Sequence, residues 1–526
     1  MSADRSAAPA TAGAVTPEHA PRNLILTAMI FAVAMTFIDQ TIVSIAAPEV
    51  QKELHLTSTG VQWAVNAYLL SLAALFAFGG RLADTVGHRR MVTLGVVVFA
   101  GASALCGLTP KGAVAEAWIV AFRVVQGAGG AIMFPAALAI VVQTFALRER
   151  GKALAIFFGI AGGLTAIGPI LGGYLTQWTW RAIFWVNIPV AIVALVLIAI
   201  SKPTTLHRPA RMDYRGLVLI AGGVALSVFG FQESAIWGWG NPATGACVAV
   251  GAAILVVFAR VEMRTASPLM QVSIFRIRAF LVENLVLSVA MLAFIPVFFF
   301  ASEYAQIALG KTPSAAGLYI LYFFIGFVIA AQIGGRMLDR IGAKRPVVLG
   351  SAIAAVGFYL WAGKVTGLDF GSQQAYIIIA GAGMGMMLGP ANTDAVNRAS
   401  RLSYGEATGI TQTVRNYSAS LGLAILGTIL VSQLRSRITT SLIAKGLSSA
   451  RAHAVAATLS QSQSGSGSLA SIPHFVRLDF AYATRSVLYV MAAIMAAAAI
   501  VAFLGLQRGV QEEADTGEVE PEAALA

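Results

Sequence analysis

The sequence predicts an all-α polytopic membrane protein with 14 transmembrane helices, built as two pseudo-symmetric six-helix halves plus an inserted helix pair. Three observations predict it. Of 526 residues, 57% are hydrophobic and only 11% charged, against about 45–50% and 25% in soluble domains. The apolar residues gather into runs of roughly 20, long enough to cross the ~30 Å hydrocarbon core of a bilayer. And one polar turn, GGRLADTVGHRR at 79–90, returns as GGRMLDRIGAKR at 334–345.

The apolar runs centre near residues 35, 70, 99, 130, 163, 191, 223, 250, 290, 325, 354, 384, 419 and 494. If the N-terminus is inside, 23 of the 36 Lys and Arg fall inside and 11 outside, while Arg123 and Arg415 lie within spans. Five of the outer 11 sit in one long outer loop at about 435–480. This is the positive-inside bias. It orients a multi-pass protein of the cell membrane with both termini cytoplasmic, and it accounts for most of the net charge of +12 without nucleic acid. The expected organisation is a disordered cytoplasmic tail at 1–22, an N-terminal six-helix half at 23–200 and an inserted two-helix hairpin with basic flanks at 201–275. A C-terminal six-helix half at 276–507 carries the long outer loop, and an acidic tail follows at 508–526. Trp178, Trp180, Trp185, Trp237 and Trp239 fit an aromatic belt on the outer side. The segment SQSQSGSGSLAS in the outer loop has the composition of a flexible polar linker.

Enzyme chemistry finds no footing. There is no HExxH or GxSxG, the six His form no cluster, and Cys106 and Cys247 lie in separate runs. No metal or cofactor is expected. GKT at 310–312 lacks the upstream glycine of a phosphate-binding loop, since position 305 is Ala305.

Aligned about 255 residues apart, the two polar turns match at Gly79/Gly334, Gly80/Gly335, Arg81/Arg336, Asp84/Asp339, Gly87/Gly342 and Arg90/Arg345, with Lys344 opposite Arg89. A six-helix unit used twice is the pattern of transporters with internal repeats. Four further motifs stand in helix order: FIDQTIVSIAAPEV (37–50), RVVQGAGGA (123–131), GLTAIGPILGG (163–173) and WRAIFWVNIPV (180–190). With these motifs the chain resembles the major facilitator superfamily, specifically its fourteen-helix drug:proton antiporter branch, over nearly its whole length. Ser44 and Ala47 depart from the usual Asn and Leu of the first-helix motif. The resemblance implies proton-coupled efflux of small lipophilic, cationic drugs or toxic compounds by alternating access. Its partners would be a small-molecule substrate, protons and the lipid bilayer, with the protein a monomer. A dedicated exporter of a single metabolite or antibiotic is the alternative.

Residue by residue, Asp39 and Arg123 are the proton-coupling candidates. An isolated charge at mid-bilayer costs at least ~2.5–3.5 kcal/mol, so an intramembrane acid is a functional hypothesis by default. Helix rise places the two at similar depth, and a purely structural ion pair stays open beside the functional reading. Gly80, Arg81, Asp84, Gly87, Arg89 and Arg90, with Gly335, Asp339, Gly342 and Arg345, form the expected inner-gate latch. Each Asp there can face the N-terminus of a helix in the other half. The resemblance suggests the helix start near Ser403–Glu406 for Asp84, and symmetry gives Arg150–Lys152 for Asp339. Gly163, Gly168, Pro169, Gly172 and Gly173 mark the antiporter-motif helix, as a seal between halves or as ordinary small-residue packing. Asp394 and Arg415 are a possible second polar pair. Glu283 and Glu303 are expected at interfacial helix ends, Gln126 is a weak candidate, and Phe298, Met384 and Met387 would suit an apolar ligand if they face the centre.

Overall fold

Helices follow one another along the chain in a computed structural model that describes residues 22–145, 147–203, 212–398, 404–461, 472–507 and 509. They are α1 (Arg22–Leu54), α2 (Ser58–Val86), α3 (His88–Gly107), α4 (Ala115–Thr144), α5 (Leu147–Trp178), α6 (Ala182–Trp185), α7 (Asn187–Ser201), α8 (Tyr214–Trp237) and α9 (Pro242–Glu262). The C-terminal portion adds α10 (Arg278–Glu303), α11 (Pro313–Ile341), α12 (Lys344–Val365), α13 (Gln374–Asn397), α14 (Tyr404–Ala444), α15 (Ser449–Gln461) and α16 (His474–Gly505). Among the described residues there is no strand, and 14 helical segments are long and apolar enough to cross a membrane, α6 and α7 together making one of them.

The repeat governs helix ends as well as motifs. Thr57 caps α2 by accepting the Gly60 N–H at 2.9 Å, and Thr312, about 255 residues on, caps α11 through the Ala315 N–H. Each hydroxyl satisfies a backbone donor that the first helical turn cannot. Both helices stop at a glycine with positive φ, 110° at Gly87 and 78° at Gly342, where a side chain would be strained. The interior packing repeats too. A Cβ at Gly79 would collide with the Ala131 carbonyl on α4, and one at Gly334 with the Met386 carbonyl on α13. Absence of side chains at these two points lets α2 lie against α4, and α11 against α13, backbone to backbone.

We name the face that carries Gly87 and Gly342 the turn face, and its opposite the far face. Between the halves, α2 packs on α14, α5 on α11 and α1 on α10. The inserted pair α8–α9 lies outside the α2–α14 seam, with α8 touching both of those helices.

Two expectations are corrected. The long loop at 435–480 is largely helical. α14 continues to Ala444, and α15 folds back beside it. Leu434, Ile438 and Leu442 recur every four residues and are buried, as are Ala452 and Ala456 on α15, so this polar-looking stretch carries an apolar stripe of helical period. Only 462–471 of the expected linker lies outside the described residues, as do 204–211 and nearly all of both tails. Among the belt tryptophans, Trp178 is 78% exposed but Trp180 is 1% exposed, because its indole is taken by Glu53 as described below.

Candidate functional site

The best-defined polar site lies where α1, α2 and α4 meet. Asp39 and Arg123 are each 1% exposed. Arg123 Nη1 donates to Asp39 Oδ2 at 2.6 Å and to Gln126 Oε1 at 2.7 Å. Gln126 Nε2 donates to the other carboxylate oxygen, Asp39 Oδ1, at 2.9 Å. The guanidinium also donates through Nε to the Ala64 carbonyl at 2.8 Å and lies over the Tyr68 ring, 4.5 Å from its centroid. Tyr68 in turn donates to the Thr36 carbonyl at 3.2 Å. Both carboxylate oxygens are therefore engaged, and a charge-assisted pair of this kind is stronger than a neutral bond.

Local sequence explains the convergence. Gly127 faces the Tyr68 carbonyl and Ser71, and Gly130 faces Leu72 and Thr36, so α4 approaches α1 and α2 closely enough for Arg123 to reach across. Gln126 stands three residues after Arg123 and so shares its helix face. That spacing is legible in the motif, and the structure raises Gln126 from a weak candidate to a full member of the network.

The glycine-rich α5 splits into two kinds of contact. Gly168 lies against Thr41 and Gly172 against Ile42, both on α1, while Thr41 Oγ1 donates to the Thr165 carbonyl at 3.0 Å. These are contacts within one half. A Cβ at Gly173, by contrast, would stand 2.7 Å from the Pro313 carbonyl on α11, and one at Gly317 of α11 would strike the Pro169 carbonyl. Gln177 and Ser314 hydrogen-bond across the same junction. Gly163 has open space around its missing side chain. Close packing between halves therefore belongs to Pro169 and Gly173, and packing within a half to Gly168 and Gly172.

Among the described residues, several bonds between halves lie toward the far face. Besides the α5–α11 junction, Gln306 Nε2 donates to the Ile45 carbonyl at 2.9 Å, Ser58 Oγ to the Ser460 carbonyl at 3.2 Å, and Ser420 Oγ bonds Asn66. α8 joins this seam, with Asn66 and Gln232 bonded through their amides at 2.6 Å, Ser227 and Tyr417 at 3.0 Å, and Ser234 and Thr428 at 3.1 Å.

Comparison with known proteins is consistent with this architecture. The profile of the Major Facilitator Superfamily matches residues 29–423. The chain belongs to the Major Facilitator Superfamily. It is 34% identical to the tetracenomycin C resistance and export protein of Streptomyces glaucescens, over 78% of this chain and 76% of that protein. It is 31% identical to the puromycin resistance protein pur8 of Streptomyces alboniger, over 81% and 85%. It is 30% identical to the multidrug resistance protein Stp of Mycobacterium tuberculosis, over 76% and 74%. Among solved structures, a bacterial homologue of the human lysosomal transporter Spinster shares the fold at TM-score 0.59 and 16% identity, covering 92% of this chain and 96% of that one. The xylose transporter XylE from E. coli does so at 0.58 and 12%, covering 93% and 99%. The protein is thus a multi-pass membrane transporter and not an enzyme.

Within this superfamily member, the remaining candidates fall out unevenly. In the polar turn, Asp84 Oδ1 lies 3.0 Å from Nε2 of the buried His88, one helical turn on. Sequence reasoning misses that histidine, although it stands inside the repeated motif. Ser403, one end of the partner segment expected for Asp84, lies outside the described residues, and the side chains of Arg150 and Lys152 opposite Asp339 are also outside the description. Gly80 meets only Pro135 at ordinary distance, and Gly335 faces open space. Their neighbours Gly79 and Gly334 make the tight crossings. Arg89, Arg90 and Arg345 stand at the starts of α3 and α12 beside these turns.

The expected Asp394–Arg415 pair does not form. Arg398, four residues after Asp394 on the same chain segment, donates to it at 2.6 Å. Arg415 instead donates to Gln412 at 2.8 Å and Asn392 at 3.3 Å. An i,i+4 neighbour needs no second helix to reach its acid. Glu283 and Glu303 stand toward the two ends of α10, and both are buried in the protein. Phe298 packs among Phe294, Phe323 and Phe324, and Met387 accepts from Ser351. With Met384 fully buried as well, these three residues fill the C-terminal half.

One cluster lies outside the sequence expectations. On the far face, Glu53 accepts from Trp180 Nε1 at 2.7 Å and Arg181 Nη2 at 3.1 Å, and pairs ionically with Lys111 Nζ at 3.3 Å. Arg181 also donates to the Gly107 and Thr109 carbonyls, both at 2.9 Å. The WR pair at the start of WRAIFWVNIPV thus ties the α5–α6 turn to the ends of α1 and α3.

Proposed function

We propose that this transporter is a proton-driven exporter of small lipophilic, cationic compounds. It would act as a monomer in the cell membrane, with both termini and the turn face toward the cytoplasm. The observation that carries the reading is the buried Asp39–Arg123–Gln126 network, an acid inside the membrane whose two oxygens are held by groups of a neighbouring helix. Such a charge is expensive in an apolar setting, which makes an intramembrane acid a functional candidate by default. When the far face opens, water reaches the carboxylate and one proton from outside binds an Asp39 oxygen. The ion pair is lost, and Arg123 keeps Gln126 and the Ala64 carbonyl as acceptors. When the turn face opens, that proton leaves to the cytoplasm, Arg123 and Asp39 re-pair, and the outward-moving compound has already gone.

One proton moving down about 180 mV supplies about 4 kcal/mol, which one-for-one exchange with a neutral compound turns into roughly a thousandfold gradient at 1.4 kcal/mol per decade; exchange with a monovalent cation moves no net charge and is driven by the pH difference alone. Relatives named for resistance to, or export of, antibiotics support the efflux direction. A second reading, export of one natural product, is favoured by relatives named for a single antibiotic and by the close packing of Phe298, Met384 and Met387.

The test is collapse of a respiration-driven pH gradient in everted vesicles by a panel of lipophilic cations. Collapse with several compounds, abolished in Asp39→Asn, is expected. No response to any panel compound from folded protein would sink the multidrug reading, and retained response in Asp39→Asn would remove Asp39 from the coupling.

A further inference from the structure

The C-terminal half holds a second group of buried ionisable side chains that the scheme above does not use. Glu283, near the turn-face end of α10, is 0% exposed, and neither of its carboxyl oxygens has a hydrogen-bond donor. Its carboxyl interacts with that of Asp394, near the turn-face end of α13. One cation serves both. Arg398 Nε holds Asp394 Oδ2 at 2.6 Å, interacts with Glu283 through space, and uses Nη1 to donate to Gln507 beyond the end of α16 at 2.8 Å.

Two ionised carboxylates are acceptors only, so they cannot bond to each other. Side by side, they ionise together only at high cost. A shared proton removes both problems: one carboxyl donates to the other, and the remaining single negative charge matches the single guanidinium. Side-chain exposure rises from 4% at Asp394 to 15% at Arg398.

We infer that Glu283 and Asp394 share one proton and form a second proton-exchange site, open to the turn face and separate from Asp39. The inference rests on the proton-coupled reading for its role in transport, though not for the presence of the proton. In the step itself, the bridging O–H breaks, its proton passes to water beside Arg398, and both carboxylates are left facing one guanidinium. The reverse step restores the bridge. Because the proton bridges the two groups, removing either carboxyl removes its site.

The experiment has two arms, both on the full chain reconstituted in lipid. Infrared difference spectra between wild type and Glu283→Gln, taken at neutral pH, report the C=O stretch of protonated carboxylic acids. The expected result is loss of one such band in Glu283→Gln and in Asp394→Asn, and its retention in Asp39→Asn. No loss in either cluster variant overturns the shared proton. The second arm is the pH profile of substrate-driven proton release. Glu283→Gln should still transport but with the profile displaced by at least one pH unit. An unchanged profile with the band lost would make the proton structural and overturn its exchange. Absence of transport in wild type would defeat the proton-coupled reading while leaving the infrared result intact. Should Glu283→Gln fail to accumulate, Asp394→Asn reads the same band.

Discussion

Substituting alanine for each glycine of the Gly334–Gly335 pair tests whether the repeated turn motif is built by backbone contact. The two residues are adjacent on α11, yet a Cβ at Gly335 meets nothing within 4 Å, whereas one at Gly334 would penetrate the Met386 carbonyl of α13. Gly335→Ala therefore keeps only the gain in helix propensity, about 1 kcal/mol. Gly334→Ala has the same gain but must push α11 and α13 apart, an overpacking cost of about 1–3 kcal/mol. The two variants should differ by about that overpacking cost, with Gly335→Ala the more stable. Gly79→Ala and Gly80→Ala should repeat the ordering in the first half, where Gly79 faces the Ala131 carbonyl and Gly80 only Pro135 at 3.5 Å. Equilibrium unfolding of purified protein in mixed micelles, followed by tryptophan fluorescence, provides the comparison. If Gly335→Ala lost as much stability as Gly334→Ala, close crossing would not be what the motif's first glycine supplies.

Two other perturbations bear on the far face. Gly317→Val should wedge α11 away from Pro169 of α5, increasing modification from the far side of a cysteine introduced as Ser314→Cys and slowing transport at least tenfold; unchanged labelling would separate this junction from closure. Glu53→Ala should leave Trp180 and Arg181 short of an acceptor and cost about 1–3 kcal/mol, read by the same unfolding measurement, with Glu53→Gln losing less; equal stability of the alanine variant and wild type would mean that solvent replaces the carboxylate.

Helix number, order and the repeat are legible in the sequence because each rests on a long apolar run or a recurring motif. The Asp39–Arg123 contact is legible as a depth match, since both residues interrupt apolar helices and helix rise converts position into depth. Other relations are less accessible because they depend on rotation about a helix axis. Nothing in position 394 alone chooses between Arg398 one turn on and Arg415 on the next helix, and composition cannot show that Glu283 points inward. The α14 extension is hidden for a different reason. Its stripe of Leu434, Ile438 and Leu442 is diluted by Arg, Ser and Thr on the exposed face, so an average over the window reads as loop although the period is helical. His88 shows a simpler gap, a residue four positions from Asp84 that sits beside two arginines and blends into a basic cluster.

The placement of α8 has a consequence for how a greasy molecule gets in. A two-half carrier can be entered sideways from the bilayer along either of the clefts between its halves. Here one cleft, α2 against α14, is roofed by a helix that bonds both walls through Gln232, Ser227 and Ser234. Among the described residues no inserted helix bonds both walls of the α5–α11 cleft. For a compound that entered from the bilayer, the inserted helix would leave the α5–α11 flank as the way in.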